Sequence, residues 1–117
     1  MKQLIAIDFD HTIFDNAADT PMDGVHDAID EFRMRGHKIL IHSANRKDFI
    51  KEWCEENRIA YDWIWDSVGK PPAAAYIDDR AVPFRGDWKQ SVNDALTLIE
   101  TRPIGCYITM GGKKYSW

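Results

Sequence analysis

The sequence predicts an α/β fold with a parallel sheet in the middle layer and helices on both faces. Short apolar runs alternate with segments of helical periodicity, an order that is typical of α/β proteins. The runs are apolar throughout, as expected of strands that are covered on both faces of a parallel sheet. Their C-terminal ends are polar: Asp8 follows the first run, Ser43 the second and Asp78 the last. Right-handed crossovers between such strands give three layers.

The N-terminal part of the chain predicts a strand, a loop and a helix. The strand is predicted at Leu4–Ile7, and the polar, turn-forming residues 10–22 are predicted to form the loop. A helix is predicted over Asp23–Arg35, with Gly36 in place to cap its C-terminus. Its inner face consists of residues that recur at helical spacing, Val25, Ala28, Ile29 and Phe32.

The middle of the chain predicts a second strand, a second helix and a third strand. The second strand covers Ile39–Ile41, and Asn45 is a suitable N-cap for a helix from Arg46 to about Asn57. A short strand is predicted at Tyr61–Trp65, with two tryptophans on one face as core or interface residues. Base stacking by an exposed tryptophan is the alternative. The inner face of the second helix consists of Phe49, Ile50, Trp53 and Cys54.

The C-terminal part predicts a strand, a helix and a hairpin. Ala73–Ile77 is predicted to begin as helix and to end as strand, and alternating apolar residues predict another strand over 104–110. Gly111 and Gly112 predict the turn of a hairpin. The chain is predicted to form one domain over residues 1–117, with 103–117 as a terminal hairpin or arm. The last amphipathic helix is marked by Trp88, Val92, Ala95, Leu96 and Ile99.

Composition excludes several classes of protein. The chain has 15 basic and 19 acidic residues, a formal net charge of −4, which argues against a general nucleic-acid binder but leaves a locally held nucleic-acid end open. No apolar run approaches the ~20 residues of a membrane span, and the first residues do not resemble a signal peptide. The histidines and cysteines are not spaced as zinc ligands. We expect a soluble, cytoplasmic protein.

Four carboxylates follow predicted central strands, Asp8 and Asp10 after the first and Asp78 and Asp79 after the last. The C-terminal ends of parallel strands line one crevice, where α/β proteins bind ligands. Each close pair of carboxylates repels by ~4 kcal/mol at an effective dielectric near 20, so a cation is expected among them. Hard oxygen ligands without histidine or cysteine favour Mg²⁺. The sequence therefore predicts a magnesium site at this edge of the sheet.

Two further residues indicate that the cation accompanies a phosphate. Ser43 ends the second strand and precedes a helix N-terminus, whose N–H groups attract anions. Lys70 lies in the Gly69–Pro71 turn and offers a mobile positive charge. Taken singly, the serine could cap a helix and the lysine could be solvated. With the carboxylates and the cation, they favour a site of phosphoryl transfer.

These residues resemble the four ordered motifs of the haloacid-dehalogenase (HAD) superfamily. The matching segments are Asp8–Ile13, Ile39–Ser43, Lys70–Pro71 and Tyr76–Asp79, each at a predicted strand end or loop. One motif alone has little specificity, whereas all four in this order are specific. His11 is a departure, because the family usually has glycine there, at a position that shapes the loop.

The resemblance implies a role for each carboxylate. Asp8 is the nucleophile and forms an aspartyl-phosphate, a form of covalent catalysis. Asp10 protonates the leaving oxygen and then deprotonates the attacking water, while Thr12 belongs to the phosphate-binding loop and holds it in place. Mg²⁺ is bound by Asp8, by the main-chain oxygen of Asp10 and by Asp79. Asp78 has a supporting or water-mediated role, although Asp78 and Asp79 could exchange roles.

The resemblance also implies a phosphate-binding set. Ser43 and the amides of Ala44 and Asn45 bind phosphoryl oxygens. Lys70 offsets negative charge on the phosphate and on Asp8. Ser43 and Asn45 could instead only cap a helix, which is compatible with phosphate binding, and for Asn45 capping is the preferred interpretation.

Many relatives carry a cap domain inserted after the first or second motif, and this chain has no room for one. Asp10 and Ser43 are 33 positions apart, and Ser43 and Lys70 are 27 apart. Neither interval holds its predicted helix and a further domain of ~50 residues. We therefore expect a capless phosphatase. An open site accepts a phosphorylated macromolecule or nucleic-acid end, or a small phosphorylated molecule when a second copy in a homo-oligomer closes it.

Two other functions remain open at this point. One is a phosphate- or Mg²⁺-binding regulatory module with little turnover, since response-regulator receiver domains also use aspartates, a hydroxyl and a lysine. Those domains place their acidic pair on the first strand and the phosphoacceptor on a later one. The other is a phosphatase that processes nucleic-acid ends. The order of Asp8 and Asp10 first and Asp78 and Asp79 last favours the Mg²⁺-dependent phosphomonoesterase.

Overall fold

The computed structural model describes residues 2–101 and 107–116. It is a mixed α/β structure with a four-stranded parallel sheet and three helices, and the chain divides into two compact units, Met1–Asp79 and Arg80–Trp117. No helix in the described residues is both long enough and apolar enough to cross a membrane. In chain order the elements are β1 (Leu4–Asp8), β2 (Phe14–Asp15), β3 (Thr20–Pro21), α1 (Val25–Met34), β4 (Lys38–His42), α2 (Lys47–Glu56), β5 (Trp63–Ile64), β6 (Ala75–Ile77), α3 (Trp88–Thr101), β7 (Tyr107–Met110) and β8 (Lys113–Ser116).

The first unit contains the parallel sheet, whose strand order is β5-β4-β1-β6. The predicted strands at 4–7 and 39–41 are confirmed as the two central strands, β1 and β4. In the register, Asp8 lies opposite His42, and Ile7 lies opposite Ile77. Asp8 and Asp78 therefore lie at equivalent positions at the C-terminal ends of two neighbouring strands, β1 and β6. Ser43 is the first residue after β4, the strand on the other side of β1.

The hydrophobic core of this unit lies around β1 and β4. Apolar residues of both strands are buried, as predicted from their uniformly apolar sequence. The core cluster consists of Ile5, Ile7, Phe9, Ile13, Phe14, Val25, Ile29, Ile39, Ile41, Ile50, Trp53, Cys54, Ile59 and Ile64.

Residues 10–22 contain turns, as predicted, and also a short hairpin that was not predicted. Ile13 is fully buried and Phe14 nearly so, and β2 pairs with β3 in a short antiparallel hairpin. The Phe14 ring lies 5.0 Å from the ring of Trp53 and 5.5 Å from that of Phe9. Three aromatic rings thus bury one end of the loop, because their contact removes a large apolar area from water.

Both helices of the first unit are present, with shorter bounds than predicted. At the end of α1, Gly36 adopts φ 87° and the N–H groups of Gly36 and His37 bond to the carbonyls of Arg33 and Phe32, the hydrogen bonds of a Schellman motif. This confirms Gly36 as the terminating residue.

At the start of α2, the predicted N-cap is wrong. Arg46 occupies that position without a side-chain capping bond, and Asn45 instead accepts the Arg46 N–H through Oδ1 at 2.8 Å. On the inner face of α2, Phe49 is 39% exposed, whereas the other three predicted residues are buried.

The edge strands are shorter and more exposed than their sequences indicate. β5 has two residues, and Trp63 is 55% exposed, so it is not a core residue. β6 begins at Ala75 with no helix before it, contrary to the mixed helix–strand prediction, and all three of its residues are exposed.

The second unit consists of α3 and the hairpin. The helix predicted around its apolar positions is confirmed, but four of those positions are exposed rather than buried: Trp88, Val92, Leu96 and Ile99. β7 and β8 pair in an antiparallel hairpin, with Gly111 and Gly112 at φ 56° and 77° in the turn. These positive angles explain why two glycines stand there. The predicted strand positions 104–106 and the terminal Trp117 lie outside the described residues.

Candidate active site

Three carboxylates meet at the C-terminal edge of the parallel sheet. Asp8 ends β1, and Asp78 and Asp79 directly follow β6, the neighbouring strand. One oxygen from each carboxylate lies within 4.8 Å of one from each of the others. Asp8 and Asp79 are half-buried, whereas Asp78 is exposed. The predicted convergence of these strand-end aspartates is therefore observed within the first unit.

The electrostatics of this cluster act mainly on Asp8. Its pKa is raised from 3.8 to about 7, chiefly because burial disfavours the charged carboxylate. The neighbouring charge of Asp78 and a hydrogen bond with the Asp79 carboxyl raise the pKa further, and the Phe9 N–H lowers it. Without a cation, the Asp8 carboxyl is therefore harder to ionise than an ordinary aspartate.

The same three carboxylates fit a small divalent cation. Mg²⁺ binds oxygen ligands at about 2.0–2.1 Å in octahedral geometry, so two of its ligands stand roughly 3–4 Å apart. Oxygens already within 4.8 Å of one another need only a small movement to reach that spacing. A divalent charge would also offset the carboxylate repulsion, which adds to the effect of burial on the Asp8 pKa. The donor set consists of oxygen alone, which suits hard divalent cations in general and does not single out Mg²⁺.

Asp10 lies two residues beyond Asp8 and belongs to a second polar cluster. Its Oδ2 accepts a hydrogen bond from Ser43 Oγ at 3.3 Å. Its Oδ1 accepts from Asn16 Nδ2 at 3.2 Å and from Asn45 Nδ2 at 3.4 Å. The side chains that surround Asp10 thus come from the loop after β1 and from the segment after β4.

The loop after β1 is tightly wound around one carbonyl. Phe9 O accepts hydrogen bonds from the N–H groups of Thr12, Ile13 and Phe14 at 2.9–3.3 Å. Thr12 Oγ1 is buried without a hydrogen-bond partner in the part of the chain that the structure describes. Thr12 thus contributes its main-chain N–H to the loop through the bond to Phe9 O, and the role of its side chain stays a prediction. His11 adopts φ 62°, a left-handed conformation that favours glycine.

The segment after β4 is a short turn that precedes α2. Ser43 Oγ accepts the Asn45 N–H at 3.0 Å while donating to Asp10. Ala44 is exposed between them. The side chains of Ser43 and Asn45 both contact Asp10, and α2 begins only at Lys47.

Lys70 is a predicted site residue whose described contacts include no carboxylate. Its Nζ lies 4.1 Å from the centre of the Tyr76 ring, a cation–π contact. The Tyr76 hydroxyl donates a hydrogen bond to Pro71 O, which holds the ring against the turn. The Lys70 side chain thus lies against Tyr76 of β6, the strand that precedes Asp78.

One residue of the site was not predicted from the sequence. Asn16 bonds to Asp10 through its amide nitrogen and accepts the His11 N–H through Oδ1 at 2.9 Å. The one signal in the sequence is the turn-forming pair Asp15 and Asn16, which predicts a turn but no partner.

Comparison with known proteins supports the fold. No protein-family model matches the sequence, and no curated protein matches it. A solved structure of a conserved protein coded by a locus of Bacteroides thetaiotaomicron is similar, with a TM-score of 0.58 and 20% sequence identity, over 87% of this chain and 93% of that chain. At that identity, the similarity shows a shared fold and nothing about activity.

Proposed function

We propose that this chain is a Mg²⁺-dependent phosphomonoester hydrolase of the HAD-like superfamily, with a three-layer Rossmann-like arrangement and no cap domain. The observation that supports the proposal best is the meeting of Asp8, Asp78 and Asp79 within 4.8 Å at the ends of adjacent parallel strands. Asp10 and Ser43, bonded at 3.3 Å, follow the same two central strands. Three of the four motifs thus contribute side chains to this edge of the sheet, whereas Lys70, from the remaining motif, lies against the Tyr76 ring.

In the proposed reaction, Asp8 supplies the nucleophilic oxygen. A carboxylate oxygen bonds to phosphorus as the bond from phosphorus to the substrate oxygen breaks, which leaves an aspartyl-phosphate. Asp10 gives its proton to the departing oxygen and so releases an alcohol. Asp10 then takes a proton from water, whose oxygen attacks the phosphoryl group and frees Asp8 and inorganic phosphate.

The cation belongs with the first cluster. Asp8 and Asp79 hold Mg²⁺ in this proposal, with the main-chain oxygen of Asp10, and the more exposed Asp78 acts in support. When bound, the ion neutralises negative charge on the transferring group and on the carboxylates.

The phosphate is bound by the groups after β4 and by Lys70. Ser43 and the main-chain amides of Ala44 and Asn45 supply hydrogen-bond donors close to Asp10. Lys70 carries its charge on a flexible stem and has to leave the Tyr76 ring to reach a phosphate. The substrate class is a phosphomonoester, either a small molecule or the phosphorylated end of a macromolecule.

Trapping the phosphoenzyme tests the covalent step. We expect Asp10→Asn to react with an activated aryl phosphate, because a good leaving group needs little protonation, and then to hydrolyse slowly. Mass spectrometry of the intact protein should show one added phosphoryl group, located on Asp8 after digestion. The matched control is the double variant with Asp8→Asn. Phosphorylation of that control at the same level would contradict the assignment of the nucleophile.

A further inference from the structure

The side chain of Asn16 links the backbone at His11 to the carboxylate of Asp10, the proposed general acid. Its Oδ1 accepts the His11 N–H at 2.9 Å, and its Nδ2 donates to Asp10 Oδ1 at 3.2 Å. Only one orientation of the amide satisfies both bonds, because an N–H faces one end and a carboxylate the other. A single side chain therefore fixes both the backbone after Asp10 and the carboxylate itself.

The bond to His11 acts at a strained point of the loop. His11 has φ 62°, and a residue with a Cβ adopts this conformation at an energetic cost. Its N–H is held twice, by Phe14 O at 2.8 Å and by Asn16 Oδ1. Asn16 therefore stabilises a left-handed turn that would otherwise need glycine.

The bond to Asp10 limits how its carboxyl group can rotate. Oδ1 receives the Asn16 amide at 3.2 Å and the more distant Asn45 amide at 3.4 Å, while Oδ2 receives the Ser43 hydroxyl at 3.3 Å. With both oxygens engaged from different sides, the plane of the carboxyl group is set. Proton transfer depends on that orientation, since donor and acceptor must be within hydrogen-bond reach.

We propose that Asn16 is the residue that positions Asp10 for proton transfer to the leaving oxygen. This inference depends on the proposed function, because it assigns Asn16 a task in the same reaction. Asn16 touches Asp10 and the loop backbone, so it acts through Asp10 and not on the substrate.

The dependence of the rate on the leaving group tests the inference. An alkyl phosphate needs a proton on its departing oxygen, whereas an aryl phosphate with an acidic phenol hardly does. For Asn16→Ala we expect kcat/KM for the alkyl substrate to fall by about 10- to 100-fold, part of the 10²–10⁴ that a positioned acid contributes. For the aryl substrate we expect a fall of less than about 3-fold, because that step takes little from the acid.

Two variants separate positioning from a loss of structure. Asn16→Asp keeps an oxygen for the His11 N–H but places a carboxylate against Asp10, so its alkyl rate should fall at least as far as that of Asn16→Ala. Asn93→Ala removes an exposed asparagine from α3 and should leave both rates unchanged. Thermal unfolding of each variant shows whether the fold is intact.

The outcomes distinguish this inference from the function on which it rests. An equal loss on both substrates for Asn16→Ala, or no loss, would overturn the positioning role while wild-type turnover still depends on Asp8. A wild type without Asp8-dependent turnover of either substrate would overturn the proposed function, and this inference with it.

Discussion

Asp8 is the proposed nucleophile, and without a cation its surroundings disfavour the negative charge of its carboxylate. Three carboxylates with oxygens within 4.8 Å repel one another, and burial of Asp8 adds to the cost of its charge. A hydrogen bond between Asp8 and Asp79 favours the protonated form of Asp8 and raises its pKa.

We expect Asp8→Asn to stabilise the metal-free protein. The amide removes one charge and can still donate a hydrogen bond to Asp79. After solvent screening, the gain should be about 1 kcal/mol, or an increase of roughly 4–8 °C in the unfolding temperature of a chain of this size. Thermal unfolding in the presence of a chelator measures the change.

The same variant should lose most of the stabilisation that Mg²⁺ gives to the wild type, since binding to the native state raises the unfolding temperature only where a site exists. Glu52→Gln, which removes an exposed carboxylate from α2, serves as the matched control and should keep the Mg²⁺ response. A metal-free Asp8→Asn protein that is less stable than the wild type would contradict the description of the cluster as mutually repulsive.

Residue types at strand ends were sufficient to predict part of the site. Asp8, Asp78 and Asp79 could be placed together because parallel strands end at the same edge, whatever the loops do. The contact between Asn16 and Asp10 could not, because it depends on the path of the hairpin between them. The resting place of Lys70 on Tyr76 is a side-chain contact that the motif alone does not specify.

At the scale of the elements, the two helices of the first unit end alike but with different residues. After α2, the N–H groups of Arg58 and Ile59 bond to the carbonyls of Glu55 and Cys54, which repeats the motif that ends α1. The residue in the left-handed position is Arg58, with φ 58°, whereas after α1 it is Gly36.

This comparison gives a pair of predictions with opposite signs. Arg58→Gly should stabilise the protein by about 0.5–1 kcal/mol, because relief of the left-handed strain exceeds the entropy cost of glycine. Gly36→Ala should destabilise it by about 1 kcal/mol through conformation alone, since nothing lies within 4 Å of an added Cβ. Urea denaturation with unchanged slopes measures both. A loss of stability in Arg58→Gly would show that its side chain matters more than its backbone strain.

The elements themselves were predicted where apolar patterning is strong. Uniformly apolar runs fixed the places of β1 and β4, and the helical spacing of α1, α2 and α3 was visible in the sequence. The hairpin of β2 and β3 was missed because each strand has only two residues, too few for any periodicity. The start of α2 was displaced because Asn45 uses its side chain on Arg46 N–H and Asp10.

At the scale of the whole molecule, the exposed apolar residues of α3 bear on the predicted homo-oligomer. Trp88 is 72% exposed and Ile99 63%, and Val92 and Leu96 lie between them on the same side of the helix. Contiguous apolar surface of this kind marks interaction sites in soluble proteins. The amphipathic pattern was predictable, but the sequence could not say which surface covers it.

We expect the protein to self-associate through this face. The mass from light scattering should rise with concentration for the wild type, and Leu96→Lys should reduce the rise because it places a charge in the apolar stripe. Lys89→Gln, an exposed change on the same helix, is the control. A monomer mass at every concentration in the wild type would contradict the prediction.

The central claim is that the strand-end carboxylates form a Mg²⁺-dependent phosphatase with Asp8 as nucleophile. The most direct measurement is hydrolysis of a generic aryl phosphate by the wild type and Asp8→Asn, each with Mg²⁺ and with chelator. We predict turnover in the wild type with Mg²⁺ and a loss of at least about 10³-fold in the other three conditions, since the nucleophile and the ion act as a unit. Equal turnover by Asp8→Asn, or turnover that is indifferent to the chelator, would contradict the account.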